Sequence, residues 1–156
     1  MKKENFIIAD LLDEKHIALD VSASTVNAVL HYVAELFGPT HVHADFEKAL
    51  SEREREYPTG LPTHPVGVAL PHADPQLVIK AGLAIVVLRH PVIFSEMGNP
   101  DHEVMVRVVI GIALPEDLSD HQTTMLSWLL EKIQQPMWLQ QVVSACSADE
   151  MLKLFR

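Results

Sequence analysis

Apolar residues recur along the chain with two spacings, and each spacing predicts one kind of element. Alternating or continuous apolar runs of strand length predict β-strands, whereas apolar residues three or four positions apart predict helices that bury one face. Residues 6–12 form a short apolar segment whose type the pattern leaves open. Strands are predicted at 16–21, 66–70, 81–88 and 104–114, with a brief edge strand at 92–94 before a turn at 98–101.

Capping residues mark the helix boundaries. Ser22 or Ser24 is predicted to cap the first helix, which ends at Gly38-Pro39. Ser119 opens a capping box before a helix that runs to about 135, and Ser147 repeats that pattern before the last helix. Further helices are predicted at about 44–57, 75–79 and 136–145, with Cys146 facing the core.

The strand at 104–114 has the most regular pattern. Its even-numbered apolar positions, from Val104 to Leu114, are predicted to share one face, and the odd-numbered positions the other. Strands and helices are interspersed along the whole chain. The sequence therefore predicts one α/β domain over residues 1–156, with a mixed sheet of four or five strands and helices on both sides.

The composition narrows the range of partners. There are 12 Lys and Arg against 21 Asp and Glu, so the net charge is −9, which argues against nucleic acid or an anionic membrane as the main partner. The single cysteine excludes an internal disulfide framework. No apolar run approaches the ~20 residues that span a bilayer, and no secretory signal pattern is present. A cytoplasmic protein without membrane insertion is expected.

His72 is the main candidate for chemistry, because it lies where an apolar strand stops between prolines. Pro71 lacks a backbone donor, so regular strand pairing should end where the imidazole is presented. Asp74-Pro75 resembles an N-cap followed by proline at the first helical position, which places His72 at a strand-to-helix corner. On this pattern alone, a surface histidine or a satisfied core histidine is the alternative.

A charged run precedes this corner on the second predicted helix. Glu52 to Glu56 alternate in sign, and the default expectation is a solvated face that includes Glu54. Arg53 instead falls on the apolar stripe between Phe46 and Tyr57, so it should point inward and need an anionic partner. The loop at 57–65 that follows contains three prolines and a glycine.

Other patterns support no competing chemistry. His41 and His43 have a spacing that suits a metal on a strand, but they precede a helix without a matching ligand cluster, so no metal is expected. Ser95 and Ser119 lack a nucleophile-elbow context, which argues against a serine hydrolase. No G-x-x-x-x-G-K-[ST] motif is present, so ATP binding is not expected.

The His72 segment resembles a known family. Val68-Ala69-Leu70-Pro71-His72 is similar to the apolar-Ala-apolar-Pro-His signature of the fructose/mannitol-type enzyme IIA domains of the bacterial phosphoenolpyruvate-dependent sugar phosphotransferase system. The histidine of that signature is the phosphorylated residue of the family.

Two further segments carry the same resemblance. Arg53-Glu54, ahead of a loop with Thr59-Gly60, resembles the family's Arg-Glu and Ser/Thr-Gly, which maps Arg53 onto its active-site arginine. Asp120-His121-Gln122 resembles the segment where many members carry a second active-site histidine.

The resemblance implies a phosphocarrier, one component of a phosphotransferase, that needs no cofactor. His72 would accept a phosphoryl group on Nε2 from the carrier protein HPr and pass it to a cysteine of enzyme IIB, which phosphorylates a carbohydrate during uptake by the membrane enzyme IIC. Arg53 offers a planar fork for phosphate oxygens, and His121 would assist from a helix N-terminus.

The loop between Thr59 and Gly67 is longer than in mannitol, fructose and nitrogen-related members and is similar to that of the galactitol type. Residues from Arg53 to Leu61 also resemble the galactitol type, so uptake of galactitol or a related polyol is expected. Two alternatives stay open: a regulatory, nitrogen-related protein that uses phosphorylation of His72 as a switch, and a binding domain that has lost transfer. In the galactitol type the position of His121 can be glutamine.

Overall fold

Five strands form one mixed sheet in the structure, a computed structural model that describes residues 8–156 without the side chain of Ser119. At one edge, β1 (Leu12–Val21) pairs in parallel with β4 (Gly82–Glu96), which forms a long antiparallel hairpin with β5 (Asn99–Ala113). On the other side of β5, β3 (Gly67–Ala69) runs parallel to it. The two-residue β2 (Gly60–Leu61) is antiparallel to β3 and also bridges the far end of β4.

Helices cover both faces of this sheet and enclose two hydrophobic cores. On one face, α1 (Val26–Phe37) and α2 (Phe46–Glu56) bury residues such as Val33 and Leu50 against the sheet. On the other, α3 (Gln122–Ile133), α4 (Pro136–Ser144) and α5 (Ala148–Leu154) form the second core. The predicted α/β class, with five strands and helices on both sides, is confirmed.

The first helix begins and ends at identifiable caps. The Oγ1 of Thr25 accepts a hydrogen bond of 3.1 Å from the backbone N–H of Ala28, so Thr25 is the N-cap and the prediction of Ser22 or Ser24 is wrong. Gly38 ends the helix with φ of 68°, a left-handed value that favours glycine, as the Gly-Pro pair predicts.

The β4–β5 hairpin is longer than its pattern predicts. The strands expected at 81–88 and 92–94 are one continuous strand, and the turn lies at Met97-Gly98 because pairing resumes at Asn99. Exposed residues at 89–91 interrupt the apolar pattern, although the strand continues through them. Periodicity alone could not distinguish this polar interruption from a turn.

The prediction that 104–114 has one uniform face is also wrong. Val104 and Val106 lie in the core beneath α1 and α2, whereas Val108 and the even-numbered residues after it lie in the core beneath α3 to α5. The change coincides with a break in register between β4 and β5, where four residues of β4 lie opposite one residue of β5 between successive pairs. Such bulges bend a strand and redirect its side chains.

The C-terminal segments follow the prediction with two corrections. The helix expected to open at Ser119 is instead a 3-10 turn over Glu116–His121, and α3 begins at Gln122. Cys146 lies beyond the end of α4 and is exposed rather than facing the core. Ser147 caps α5 as predicted, since its Oγ accepts a hydrogen bond from the N–H of Glu150.

At the other end of the chain, Ile8–Leu11 is a 3-10 turn and Leu12 begins β1. Residues 6 and 7 of the apolar segment predicted at 6–12 lie outside the described residues. Within residues 8–156, no helix combines the length and the apolar character needed to cross a bilayer.

Candidate active site

His72 lies just beyond β3, at the edge where two parallel strands end. The β3 ladder stops at Ala69, but the N–H of Ile112 donates to the carbonyl of Pro71 at 3.0 Å, and His72 itself forms an isolated parallel bridge with Ile112. Pro71 therefore ends the regular strand, while its carbonyl still anchors the segment to β5. The predicted helix at 75–79 is only a 3-10 turn over Pro75–Leu77.

The orientation of the His72 ring is set by one hydrogen bond. Nδ1 lies 2.8 Å from the carbonyl oxygen of Leu70. A carbonyl can only accept, so Nδ1 must carry the proton. In the neutral ring the lone pair is then on Nε2. The geometry therefore presents Nε2 as the nucleophilic nitrogen.

The surroundings of His72 also keep this ring neutral. Burial is the main cause that lowers the pKa of His72 from its ordinary value of 6.5, because desolvation disfavours the charged imidazolium. The hydrogen bond to Leu70 acts in the opposite direction, and the positive charge of Arg53 lowers the pKa further. Neutral imidazole is the form that can attack phosphorus.

Arg53 lies in the last turn of α2 with its guanidinium against an aromatic ring. Its Cζ is 5.5 Å from the ring centroid of Tyr57, a cation–π contact. No carboxylate among the described residues forms an ion pair with Arg53, so the inward anionic partner expected from the sequence is not found. The fork of guanidinium N–H donors remains available to a ligand.

The space beside Arg53 is a shallow hollow of about 240 Å³. Tyr57 and Asp74 line it along with residues of α2, and most of the lining residues carry a charge. Sugar and cofactor pockets usually have larger apolar walls. The hollow therefore lacks the size and apolar walls of a typical small-molecule pocket.

The structure reveals two buried residues that the sequence interpretation missed. Glu54, expected on a solvated face, is only 7% exposed, and Thr59 is 4% exposed. The carboxylate of Glu54 accepts hydrogen bonds from the N–H of Thr59 at 2.8 Å and from its Oγ1 at 2.9 Å. Glu54 follows Phe46 and Leu50 in steps of four residues, and this spacing was the available signal.

Gly60 allows the Thr59 loop to approach the sheet. A Cβ added at Gly60 would lie 2.6 Å from the backbone oxygen of Ser95, so only glycine fits between β3 and the end of β4. Because Gly60 pairs with Ala69, the preceding Thr59 comes opposite Leu70. The backbone N–H of Leu70 donates to Thr59 Oγ1 at 3.0 Å.

His121 approaches the site from a different element. It ends the 3-10 turn that follows β5 and takes the N-cap position of α3. The turn at Glu116–His121 contacts the turn at Pro75–Leu77 that follows His72. Since β3 and β5 are parallel, the segments leaving their carboxyl ends meet at one sheet edge. The structure thus brings His121 to the edge that carries His72.

Within residues 8–156, His16, His41 and His43 form no comparable site. The rings of His16 and His41 pack edge to face with centroids 4.5 Å apart next to Phe37, while His43 is exposed. Across the described chain, no group of three or more His, Cys, Asp or Glu side chains could hold a metal ion.

Similar proteins were found by sequence and by structure. The galactitol-specific EIIA component of the phosphotransferase system of Escherichia coli (strain K12) is 29% identical over 108 residues, which cover 68% of this chain and 69% of that protein. The nitrogen regulatory protein homolog of Haemophilus influenzae is 29% identical over 159 residues, covering 95% and 90%.

A solved structure of the complex of enzyme IIAMTL and phosphorylated enzyme IIBMTL from Escherichia coli contains a chain with the same fold. Its TM-score is 0.74 at 22% sequence identity, and the match covers 93% of this chain and 98% of that one. Residues 10–156 match the family described as "Phosphoenolpyruvate-dependent sugar phosphotransferase system, EIIA 2". The chain therefore belongs to the type 2 enzyme IIA family of the phosphoenolpyruvate-dependent sugar phosphotransferase system.

Proposed function

We propose that this protein is a phosphocarrier in which His72 accepts a phosphoryl group from phospho-HPr and passes it to a cysteine of an enzyme IIB. One observation carries the proposal: the hydrogen bond from His72 Nδ1 to the carbonyl of Leu70, which leaves Nε2 of a neutral ring as the nucleophile. The proposal extends the family membership to a specific residue and a specific nitrogen.

The transfer consists of two substitutions at phosphorus. The Nε2 lone pair of His72 attacks the phosphorus of a phosphohistidine on HPr whose other ring nitrogen carries a proton. A P–N bond forms to His72, and the P–N bond to HPr breaks to leave a neutral imidazole there. The phosphorylated His72 keeps its proton on Nδ1. A thiolate of enzyme IIB then attacks the same phosphorus, and the bond to Nε2 breaks to restore neutral His72.

Arg53 and His121 would assist without bonding to phosphorus. Phosphoryl transfer depends mainly on positioning and on neutralising negative oxygens. The Arg53 guanidinium lies over the ring of Tyr57 and has no carboxylate partner within residues 8–156, so it would hold those oxygens through two parallel N–H donors. His121 would add a donor at the N-terminus of α3, where the helix dipole favours anionic groups.

The proposed pathway is uptake of galactitol or a related polyol, with the protein working in the cytoplasm beside a membrane enzyme IIC. Support comes from the galactitol-specific relative and from the long loop between Thr59 and Gly67. The mannitol complex, in which a protein of this fold binds a phosphorylated enzyme IIB, supports an enzyme IIB as the partner. The net charge of −9 favours a basic partner surface.

A second candidate function is regulation, with phosphorylation of His72 as a switch and no transfer to a sugar-specific partner. The nitrogen regulatory protein homolog favours it, since that match covers 95% of this chain. Both functions begin with phosphoryl transfer from HPr to His72. They differ in whether the phosphoryl group then passes to a cysteine of enzyme IIB.

His72 is expected to be the phosphorylated residue. Incubation with phosphoenolpyruvate, enzyme I and HPr should give an acid-labile adduct that peptide mapping locates on His72. The His72→Ala variant should remain unmodified, whereas His121→Ala should still be phosphorylated, because His121 assists and is not the nucleophile. Modification that persists in His72→Ala would contradict the assignment.

Purified galactitol-type enzyme IIB should separate the two candidate functions. When the phosphorylated protein is mixed with that enzyme IIB, the phosphoryl group should move from His72 to the partner's cysteine within a single turnover. A partner whose cysteine is replaced by serine is the control. Retention of the group on His72 with the intact partner would favour the regulatory function.

Replacement of Arg53 by lysine should slow transfer while the fold is retained. Lysine keeps the charge but loses the planar fork, and one charge-assisted hydrogen bond is worth ~1.5–3 kcal/mol, about 10- to 100-fold in rate. Arg55→Lys, on the exposed side of the same helix, is the matched control and should transfer normally. Equal single-turnover rates for Arg53→Lys and wild type would remove Arg53 from the mechanism.

The pH dependence of the acceptor should follow the lowered pKa of His72. A histidine whose pKa lies below 6.5 in the folded protein stays neutral as the pH falls through 6.5, so the rate of acceptance should decline only at lower pH. Titration of the His72 ring resonances by NMR measures this directly, and the unfolded protein supplies the reference. A native midpoint at or above 6.5 would contradict the burial argument.

A further inference from the structure

Glu54 is a buried carboxylate on the apolar stripe of α2. It continues the buried stripe of Phe46 and Leu50 on α2 and is 7% exposed. Burial raises its pKa, because desolvation disfavours the charged form, and the hydrogen bonds from Thr59 act against that shift. An apolar replacement would leave the buried N–H and hydroxyl of Thr59 without their acceptor. The role of Glu54 therefore lies in what these two hydrogen bonds hold in place.

The hydrogen bonds around Thr59 run in one direction. The hydroxyl has one proton, and a carboxylate can only accept, so Thr59 Oγ1 donates to Glu54 at 2.9 Å. The lone pairs of the same oxygen accept from the N–H of Leu70 at 3.0 Å. Glu54 thus fixes the rotation of the hydroxyl, and the hydroxyl in turn fixes the backbone of Leu70.

Leu70 is held at both of its backbone groups. Its N–H binds Thr59, and its carbonyl accepts the proton of His72 Nδ1 at 2.8 Å. On the opposite side, the Pro71 carbonyl is bound by the N–H of Ile112. The acceptor that selects the His72 tautomer is therefore clamped between β5 and the Thr59 loop.

We propose that Glu54 and Thr59 are positioning residues that hold the Leu70 carbonyl in place, so that the proton of His72 stays on Nδ1 and Nε2 points at the incoming phosphorus. This inference rests on the proposed function of His72 as the phosphoryl acceptor. Neither residue touches the phosphoryl group. Their effect passes through the main chain of Leu70.

The test removes the hydroxyl while keeping the shape of the side chain. Thr59→Val should lower the rate of single-turnover acceptance from phospho-HPr by roughly 10-fold or more, because small displacements of a reacting group have effects of this size. Thr59→Ser restores the hydroxyl and should restore the rate. Thr63→Val is the matched control: Thr63 lies in the same loop and donates to the carbonyl of Val66 rather than to the His72 network.

A second readout separates positioning from general loss of structure. In protein labelled with ¹⁵N-histidine, the imidazole shifts of unphosphorylated His72 report which nitrogen carries the proton. Wild type, Thr59→Ser and Thr63→Val should show Nδ1–H, whereas Thr59→Val should show a mixture of tautomers. Glu54→Gln, which keeps one acceptor oxygen, should give an intermediate rate and a smaller tautomer change.

Each outcome bears on the proposal. A folded Thr59→Val variant with the wild-type rate and only the Nδ1–H tautomer would overturn it. If Thr59→Val does not fold, the same two measurements are made on Glu54→Gln. A wild-type rate and spectrum in that variant would overturn the proposal, whereas slower transfer with a shifted tautomer would support it. If wild-type protein accepts nothing from phospho-HPr, the proposed function fails, while the tautomer measurements still test the positioning of His72.

Discussion

The hydrogen bond between His72 Nδ1 and the Leu70 carbonyl is the constraint on which the site depends. An imidazole free to rotate would present either nitrogen, and in water it would be partly protonated near neutral pH. Here the carbonyl determines the protonated nitrogen, and burial keeps the ring neutral. Hydrogen bonds of the Leu70 N–H and the Pro71 carbonyl hold this carbonyl in a fixed position.

That position results from strands that are individually very short. β3 has three residues and β2 has two, and neither would be stable alone. They are held by the long β4–β5 hairpin, whose two faces are buried beneath helices. Because β3 and β5 are parallel, the chain leaves both at the same edge, which brings together His72 and the turn that ends at His121.

The sequence identified the parts of this arrangement that depend on local patterns. The proline that follows the strand located His72, and helical periodicity located α1. The resemblance through Arg53 and His121 indicated the family that the comparisons show. The segments that carry the resemblance also include Glu54 and Thr59. A charged run usually predicts a solvated face, however, so Glu54 was not expected on the buried side of α2.

Some of the other errors concern pairing between distant segments, and others concern where a helix ends. The change of face between Val106 and Val108 depends on the register break against β4, and β2 exists because Gly60 can approach Ser95. Cys146 was assigned to a helix face, but α4 ends at Ser144 and leaves the thiol exposed. The change of face and the existence of β2 leave no signal in a single stretch of sequence.

The identity of the phosphorylated nitrogen tests the role of the Leu70 carbonyl most directly. Protein labelled with ¹⁵N-histidine and phosphorylated through HPr would be examined for ³¹P–¹⁵N coupling and for the ¹⁵N shifts of the modified ring. We expect phosphorus bonded to Nε2 of His72, with Nδ1 still protonated and hydrogen-bonded to the Leu70 carbonyl. Phosphorus bonded to Nδ1 would contradict this expectation, because that nitrogen could not accept the group without breaking the bond that orients the ring.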